Sequence, residues 1–229
     1  MVSVDNVYQK VLALANKEQR GYITPQEFNL FADQAQMEIF EQYFYDVEQL
    51  EPRMGDAVEL TKSKIEIFKS SATATTNGSS LPNDTYRVIA ASLLGSDGKT
   101  RSVEKLDNDE ADRFYHALIS SPLLKPNKSK PIYYISQNKI LFDPTDGNYN
   151  IFYIKTPKKP NWTYLIDPTT QNALYYPVAT DHQDFELHIS EEPKLVIKIL
   201  QLAGVNMKDY NLAQLAGQKE VSVKQQEKQ

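Results

Sequence analysis

With 229 residues, 41% of them hydrophobic and 24% charged, the chain is long enough to bury a sizeable core and too apolar for wholesale disorder. A net charge of −5 and a pI near 5.3 leave no basic footprint for gripping nucleic acid or an anionic membrane, although a mildly acidic wall still lets DNA slide past. The absence of cysteine excludes a disulfide framework, a thiolate zinc site and a cysteine nucleophile.

Val4, Val7, Tyr8, Val11, Leu12 and Ala15 recur at helical spacing and predict a short helix over residues 3–15. Residues 16–22 interrupt it, with Gly21 as the turn. Thr24 then stands as N-cap, Pro25 at the first helical position and Glu27 three residues after Thr24, a capping box that fixes where a second helix starts. Phe28, Phe31, Ala32, Ala35, Ile39, Tyr43, Phe44 and Val47 carry that helix to about Leu50, ahead of Pro52. Met37, Phe40 and Tyr45 widen its apolar stripe, and a helix so long and so apolar wants partners on more than one side.

Residues 70–80, rich in Ser and Thr, read as a low-complexity loop. Tyr86 to Leu94 predicts a strand, Ser96-Asp97-Gly98-Lys99 a hairpin turn and Arg101 to Val103 its partner. A short acidic helix is expected from Asp109 to Ile119. Three runs rich in β-branched and aromatic residues follow, Pro131–Ile135, Lys139–Asp143 and Tyr149–Lys155, and predict an antiparallel meander. Residues 157–180, around Trp162, read as loop with short strands, and Phe185 to Ile189 as a last alternation. Helices are expected at Leu195–Ala203 and Lys208–Ala216, before an almost wholly polar tail.

The expectation is an α+β fold in which N- and C-terminal helices form a helical bundle with an inserted antiparallel β-rich region. Residues 1–55 and 191–217 would make the bundle, 56–190 the β-rich middle, and 218–229 a polar tail contacting a neighbouring subunit. The N-terminus lacks a basic region followed by an apolar run, and no stretch approaches about 18 consecutive apolar residues, so a soluble protein made in the cytoplasm is expected, with no membrane partner.

The sharpest local match to a chemical motif is a calcium loop running from Asn16 to Glu27, with Gly21 at its sixth position. Arg20 stands where the fifth ligand belongs and sets a guanidinium against the cation. The turn glycine and capping box account for the same residues. His116, His182 and His188 show no metal-ligand spacing, and His182, between Asp181 and Asp184, is the one candidate for acid–base work. The acidic clusters at Asp107–Asp112 and Glu191-Glu192 precede helical patterns, where negative charge suits the helix dipole. There is no glycine-rich phosphate loop or nucleophile elbow. Neither catalysis nor a cofactor or metal is expected.

Gly21-Tyr-Ile-Thr-Pro-Gln-Glu-Phe-Asn-Leu-Phe-Ala-Asp-Gln-Ala-Gln-Met-Glu, Leu81-Pro-Asn-Asp-Thr-Tyr-Arg, Ser121-Pro122 with Pro131-Ile-Tyr-Tyr, and Asp184-Phe-Glu-Leu-His with Leu202-Ala-Gly-Val together resemble the head-to-tail connector, or tail adaptor, proteins of short-tailed, crAss-like phages. The resemblance implies a structural virion subunit in a homo-oligomeric ring, commonly twelvefold, below the portal protein. Its other neighbours would be tail or ring proteins, and DNA would pass through the centre in passive contact. It brings no catalytic residues. Phe40, Tyr43 and Tyr45 on the long helix, and Gln218, Val221 and Val223 in the tail, are the expected subunit-interface residues. Two further readings stand beside it: another head or tail component, such as a tail-tube or head-completion protein, and a degenerate EF-hand-like calcium-binding module.

Overall fold

The computed structural model describes residues 1–17, 23–50, 62–74, 78–95, 98–106, 125–169 and 171–206. The chain divides into two compact units, one made of Met1–Ile67 with Pro157–Gln229, the other of Phe68–Thr156.

In the first unit, helix α1 (Val4–Lys17) buries Val4, Val7, Tyr8, Val11 and Ala15, the stripe its spacing predicts. Helix α2 (Pro25–Leu50) starts at the expected cap: the Thr24 N–H and hydroxyl donate to Glu27 Oε2 at 3.0 and 2.8 Å, and the Glu27 N–H donates back to Thr24 Oγ1 at 3.3 Å. Those bonds from Thr24 hold the Glu27 carboxyl below its ordinary range. The carboxylate that would have closed a calcium loop is thus engaged in capping, while residues 18–22 of that loop lie outside the described residues.

The apolar groups of α2 find partners of different kinds. Phe40 meets Phe44 edge-on at 5.1 Å, and Phe28 packs on Tyr8 of α1 at 4.7 Å. Helix α3 (Glu192–Asn206) follows a 3-10 turn, Ile189–Glu191, and covers part of α2 with Leu195, Ile199 and Ala203. Ion pairs flank this packing: Lys198 Nζ lies 2.8 Å from Glu38 Oε2, and the buried Glu191 accepts from Lys64 at 2.5 Å. Extended chain covers a further part of α2. The buried Gln36 donates through Nε2 to the Lys158 carbonyl at 2.8 Å and accepts the Glu186 N–H on Oε1 at 3.0 Å.

The second unit is a seven-stranded sheet of β1 (Lys69–Ala74), β2 (Ser79–Ser80), β3 (Thr85–Leu94), β4 (Thr100–Lys105), β5 (Ile132–Ser136), β6 (Lys139–Asp143) and β7 (Asn148–Lys155), in the order β1-β7-β3-β4-β5-β6-β2. All neighbours are antiparallel except β4 and β5. Ala74 of β1, Ala91 and Leu93 of β3, Val103 of β4, Ile140 of β6 and Ile151 of β7 fall in one buried cluster. Side chains from opposite ends of the strand order can share a core only if the sheet curls, and it does so into a nearly closed, barrel-like form. Within it Phe142 and Tyr149 stack at 3.9 Å.

This overturns the expected fold class. Among the described residues the dominant feature is the nearly closed, barrel-like sheet of seven strands, and the fold is not a helical bundle carrying an inserted β region. The wide stripe of α2 asks for partners on more than one side, and one of them is extended chain, tied to it by the polar anchor Gln36, where a bundle would place a helix. The Ser/Thr-rich stretch taken for a loop contributes β1, since Thr and Ala fit an outer strand and β7 satisfies its backbone. The predicted meander holds only for β5 and β6, joined by Gln137 and Asn138 at φ 51° and 61°, the left-handed pair a two-residue hairpin requires. Strand β7 leaves them to lie between β1 and β3. The helices expected at Asp109–Ile119 and Lys208–Ala216 fall outside the described residues, as does the polar tail.

Candidate functional site

The exposed part of the first unit grows from Trp162, the sole tryptophan. Its backbone N–H donates to Asn29 Oδ1 at 2.9 Å, its carbonyl accepts from Asn29 Nδ2 at 3.2 Å, and its indole N–H donates to Asp5 Oδ1 at 2.9 Å. Asn29 therefore acts as a backbone surrogate, satisfying chain that has no strand partner there. With Trp162 fixed and buried, Tyr8 packs at 4.2 Å, and Tyr164 and Tyr175 stack at 5.7 Å each.

Those two tyrosines face each other across a two-stranded ribbon, β8 (Tyr164–Ile166) and β9 (Ala173–Tyr175). Its turn is held by Asp167, whose carboxylate accepts the Thr169 N–H at 2.9 Å and whose carbonyl accepts the Gln171 N–H at 2.8 Å. Alternation sends Tyr164 and Tyr175 to the Trp162 side and leaves the Leu165–Leu174 pair on the other. That outer pair is 55% and 56% exposed, and Ile166 and Val178 reach 65% and 77%.

His182 sits at the edge of this stack. Its Nε2 is 3.4 Å from the Tyr175 hydroxyl and 3.9 Å from Asp184 Oδ1, and its Nδ1 is 3.5 Å from Thr163 Oγ1. Each neighbour already has structural duty: Asp184 Oδ1 accepts the Val4 N–H at the start of α1, Thr163 donates to the Tyr176 carbonyl, and Asp181 accepts from Asn161 at 3.0 Å. Burial, followed by the charges of Asp184 and Asp5, pushes the Tyr175 phenol above its ordinary range and keeps it protonated. The arrangement positions an imidazole, and the one hydroxyl beside its Nδ1 is already committed to a carbonyl.

Open grooves flank Asn161, and the smaller of two reaches the ribbon. The larger, about 610 Å³, is lined by Asn29, Leu30, Asp33, Lys159, Asn161 and Asp181, the smaller, about 310 Å³, by Asn161, Trp162, Tyr164 and Tyr176. Their amides bond one another, with Asn29 Nδ2 on Asn161 Oδ1 at 2.9 Å, and Lys159 lies 3.5 Å from Asp33. Among the described residues no group of three His, Asp or Glu side chains could hold a metal ion, and no helix is long and apolar enough to cross a membrane.

Of the expected interface residues, Phe40 and Tyr43 are buried within the first unit, whereas Tyr45 is 55% exposed. Gln218, Val221, Val223 and His116 lie outside the described residues. His188 caps the 3-10 turn, its Nδ1 accepting the Ser190 N–H at 3.2 Å. Short strands are expected within residues 157–180, and β8 and β9 lie there; their pairing was not foreseen, although Tyr-Leu-Ile and Ala-Leu-Tyr on either side of Asp-Pro-Thr-Thr-Gln-Asn carry a hairpin signal. No protein-family model matches the chain, and no curated protein matches it.

Proposed function

We propose that this chain is a structural virion subunit that assembles with copies of itself into a ring connecting the portal to the tail around the DNA channel. The observation that carries the assembly part of the reading is the β8–β9 ribbon, whose outward pair, Leu165 and Leu174, is more than half exposed, with Ile166 at its end and Val178 just beyond it exposed as well. A two-stranded ribbon is marginal alone, and contiguous exposed apolar side chains mark surfaces that bind other proteins. The resemblance of four separated segments to phage connector proteins supplies the setting, and the net charge of −5 suits a wall past which DNA moves without being held.

The test is the mass of the purified protein, alone and mixed with its candidate portal, by native mass spectrometry or light scattering. A defined assembly is expected in one or both samples, with a ring mass near twelve times 26.1 kDa if the order is the one common in such families. A strict monomer in both, with no portal binding, overturns the reading.

A further inference from the structure

The second unit also has an exposed apolar patch, on the outer face of β7 and β3. Phe152 pairs with Ser71 on one side and Ala90 on the other, beside the irregularity that displaces Ile89, and Phe152 and Ile89 are 42% and 48% exposed. One row along, Lys69 and Arg87 flank the buried Ile154, and both cations are exposed at the edge of the patch. Strands β1, β3 and β7 contain those two cations and Lys155, and no carboxylate. The ribbon of the first unit has the opposite character. Its Leu165–Leu174 pair has Asp167 in the turn just past β8, Asp181 is exposed near by, and no Lys or Arg occurs between Pro160 and Pro193.

We infer that the ribbon of one copy docks on the β3–β7 face of the next. This rests on the ring reading and names its contact. Leu165 and Leu174 meet Phe152 and Ile89, while Asp167 and Asp181 approach Lys69 and Arg87. An apolar centre with opposite charges at the rim sets both affinity and register. Because the two surfaces belong to different units of one chain, each copy uses its ribbon once and its sheet face once. Such a head-to-tail contact propagates and closes when the rotation per subunit allows. A ribbon-to-ribbon dimer would bring Asp167 and Asp181 against their own copies and is disfavoured.

Two substitutions at exposed positions separate the surfaces, Leu174→Asp on the ribbon and Phe152→Asp on the sheet. Under the condition in which the unmodified chain assembles, each variant alone is expected to remain at the mass of one chain. Their mixture is expected to give a discrete pair, since one intact ribbon and one intact sheet face remain. Rings formed by both variants overturn this contact and leave the ring reading standing, whereas a wild-type chain that never assembles removes both. Circular dichroism confirms that the variants fold. As a second measurement, the absence of native cysteine makes an introduced pair unambiguous. Leu174→Cys mixed with Phe152→Cys is expected to crosslink as a mixed disulfide, and crosslinking of Leu174→Cys to itself overturns the head-to-tail arrangement.

Discussion

The two units are held together in different ways. In the second, strand after strand turns alternate residues inward, so that Tyr149 and Ile151 of β7 meet Leu93 and Ala91 of β3 through a repeated register. In the first, single polar side chains anchor chain that has no repeat: Gln36 grips Lys158 and Glu186, Asn29 grips Trp162, Asp5 the indole and Asp184 the start of α1. A repeated pattern tolerates the loss of one member, because its neighbours carry the same information. A single anchor has no understudy.

The largest test sets the two aromatic centres side by side. Trp162→Ala and Phe142→Ala are each expected to cost about 3–5 kcal/mol, by lost transfer energy plus a cavity. Trp162→Ala also removes the bond to Asp5 and the platform under Tyr164 and Tyr175, so the ribbon should lose hydrogen-exchange protection as well. In Phe142→Ala the fluorescence of Trp162 still reports the first unit, and its denaturant midpoint is expected to stay in place while tyrosine signals shift. A common shift of both signals would show a single cooperative body and break the comparison.

Gln36→Leu comes next. The substitution keeps the side chain's bulk but strands the Lys158 carbonyl and the Glu186 N–H, two buried or part-buried groups, at about 1–3 kcal/mol each. Denaturant unfolding followed by Trp162 fluorescence measures it, and a loss below about 1 kcal/mol would mean that water replaces the amide.

These anchors explain what the sequence could and could not disclose. The helix starting at Pro25, the stripe of α1 and the strand from Thr85 to Leu94 each repeat a signal every two to four residues, and all were legible. Gln36 looked like one polar residue on a helix that reads as apolar, and nothing local says that its partners lie 122 and 150 residues away. The departure of β7 from its neighbours is equally a matter of long-range pairing. Apolar residues on a strand also say which side is buried only once the partner is known, so the exposure of Leu165 and Leu174 could not be read from a stretch expected as loop with short strands.

A smaller effect is expected at Gly147. A Cβ there would lie 2.6 Å from Leu93 Cδ1 and 3.0 Å from Tyr149 Cε2, both belonging to buried side chains that have little room to withdraw. Gly147→Ala should cost about 1–3 kcal/mol, the range for overpacking a filled core. The tyrosine-monitored midpoint should fall while the Trp162 signal holds. An unchanged midpoint would mean that Leu93 finds a second rotamer without loss.

The last effect vanishes at neutral pH and separates the units only in alkali. Burial first, then the negative charges of Asp146 and Asp143, push the Tyr149 phenol up to about 12 from an ordinary value of 10.0. Its hydroxyl donates to the Pro144 carbonyl, which also favours the neutral form. The unfolded chain gives up this proton near pH 10, whereas the folded chain keeps it to about 12. Between those values the folded state binds more protons, so the stability from a neutral, buried Tyr149 is whole below pH 10 and declines as pH rises through the window. Phenolate absorbance should show Tyr149 among the late tyrosines, with Tyr133 and Tyr175 also raised by burial, and its ionisation should accompany loss of the sheet's circular dichroism. Tyr149→Phe removes the titrating group and should flatten the decline, while Asp146→Asn removes one of the charges and should bring the late ionisation closer to 10. If Tyr149→Phe leaves the alkaline decline unchanged, the weak point in alkali lies elsewhere, with Tyr175 beside Trp162 the next phenol to replace, its own ionisation raised by burial and by Asp184 and Asp5.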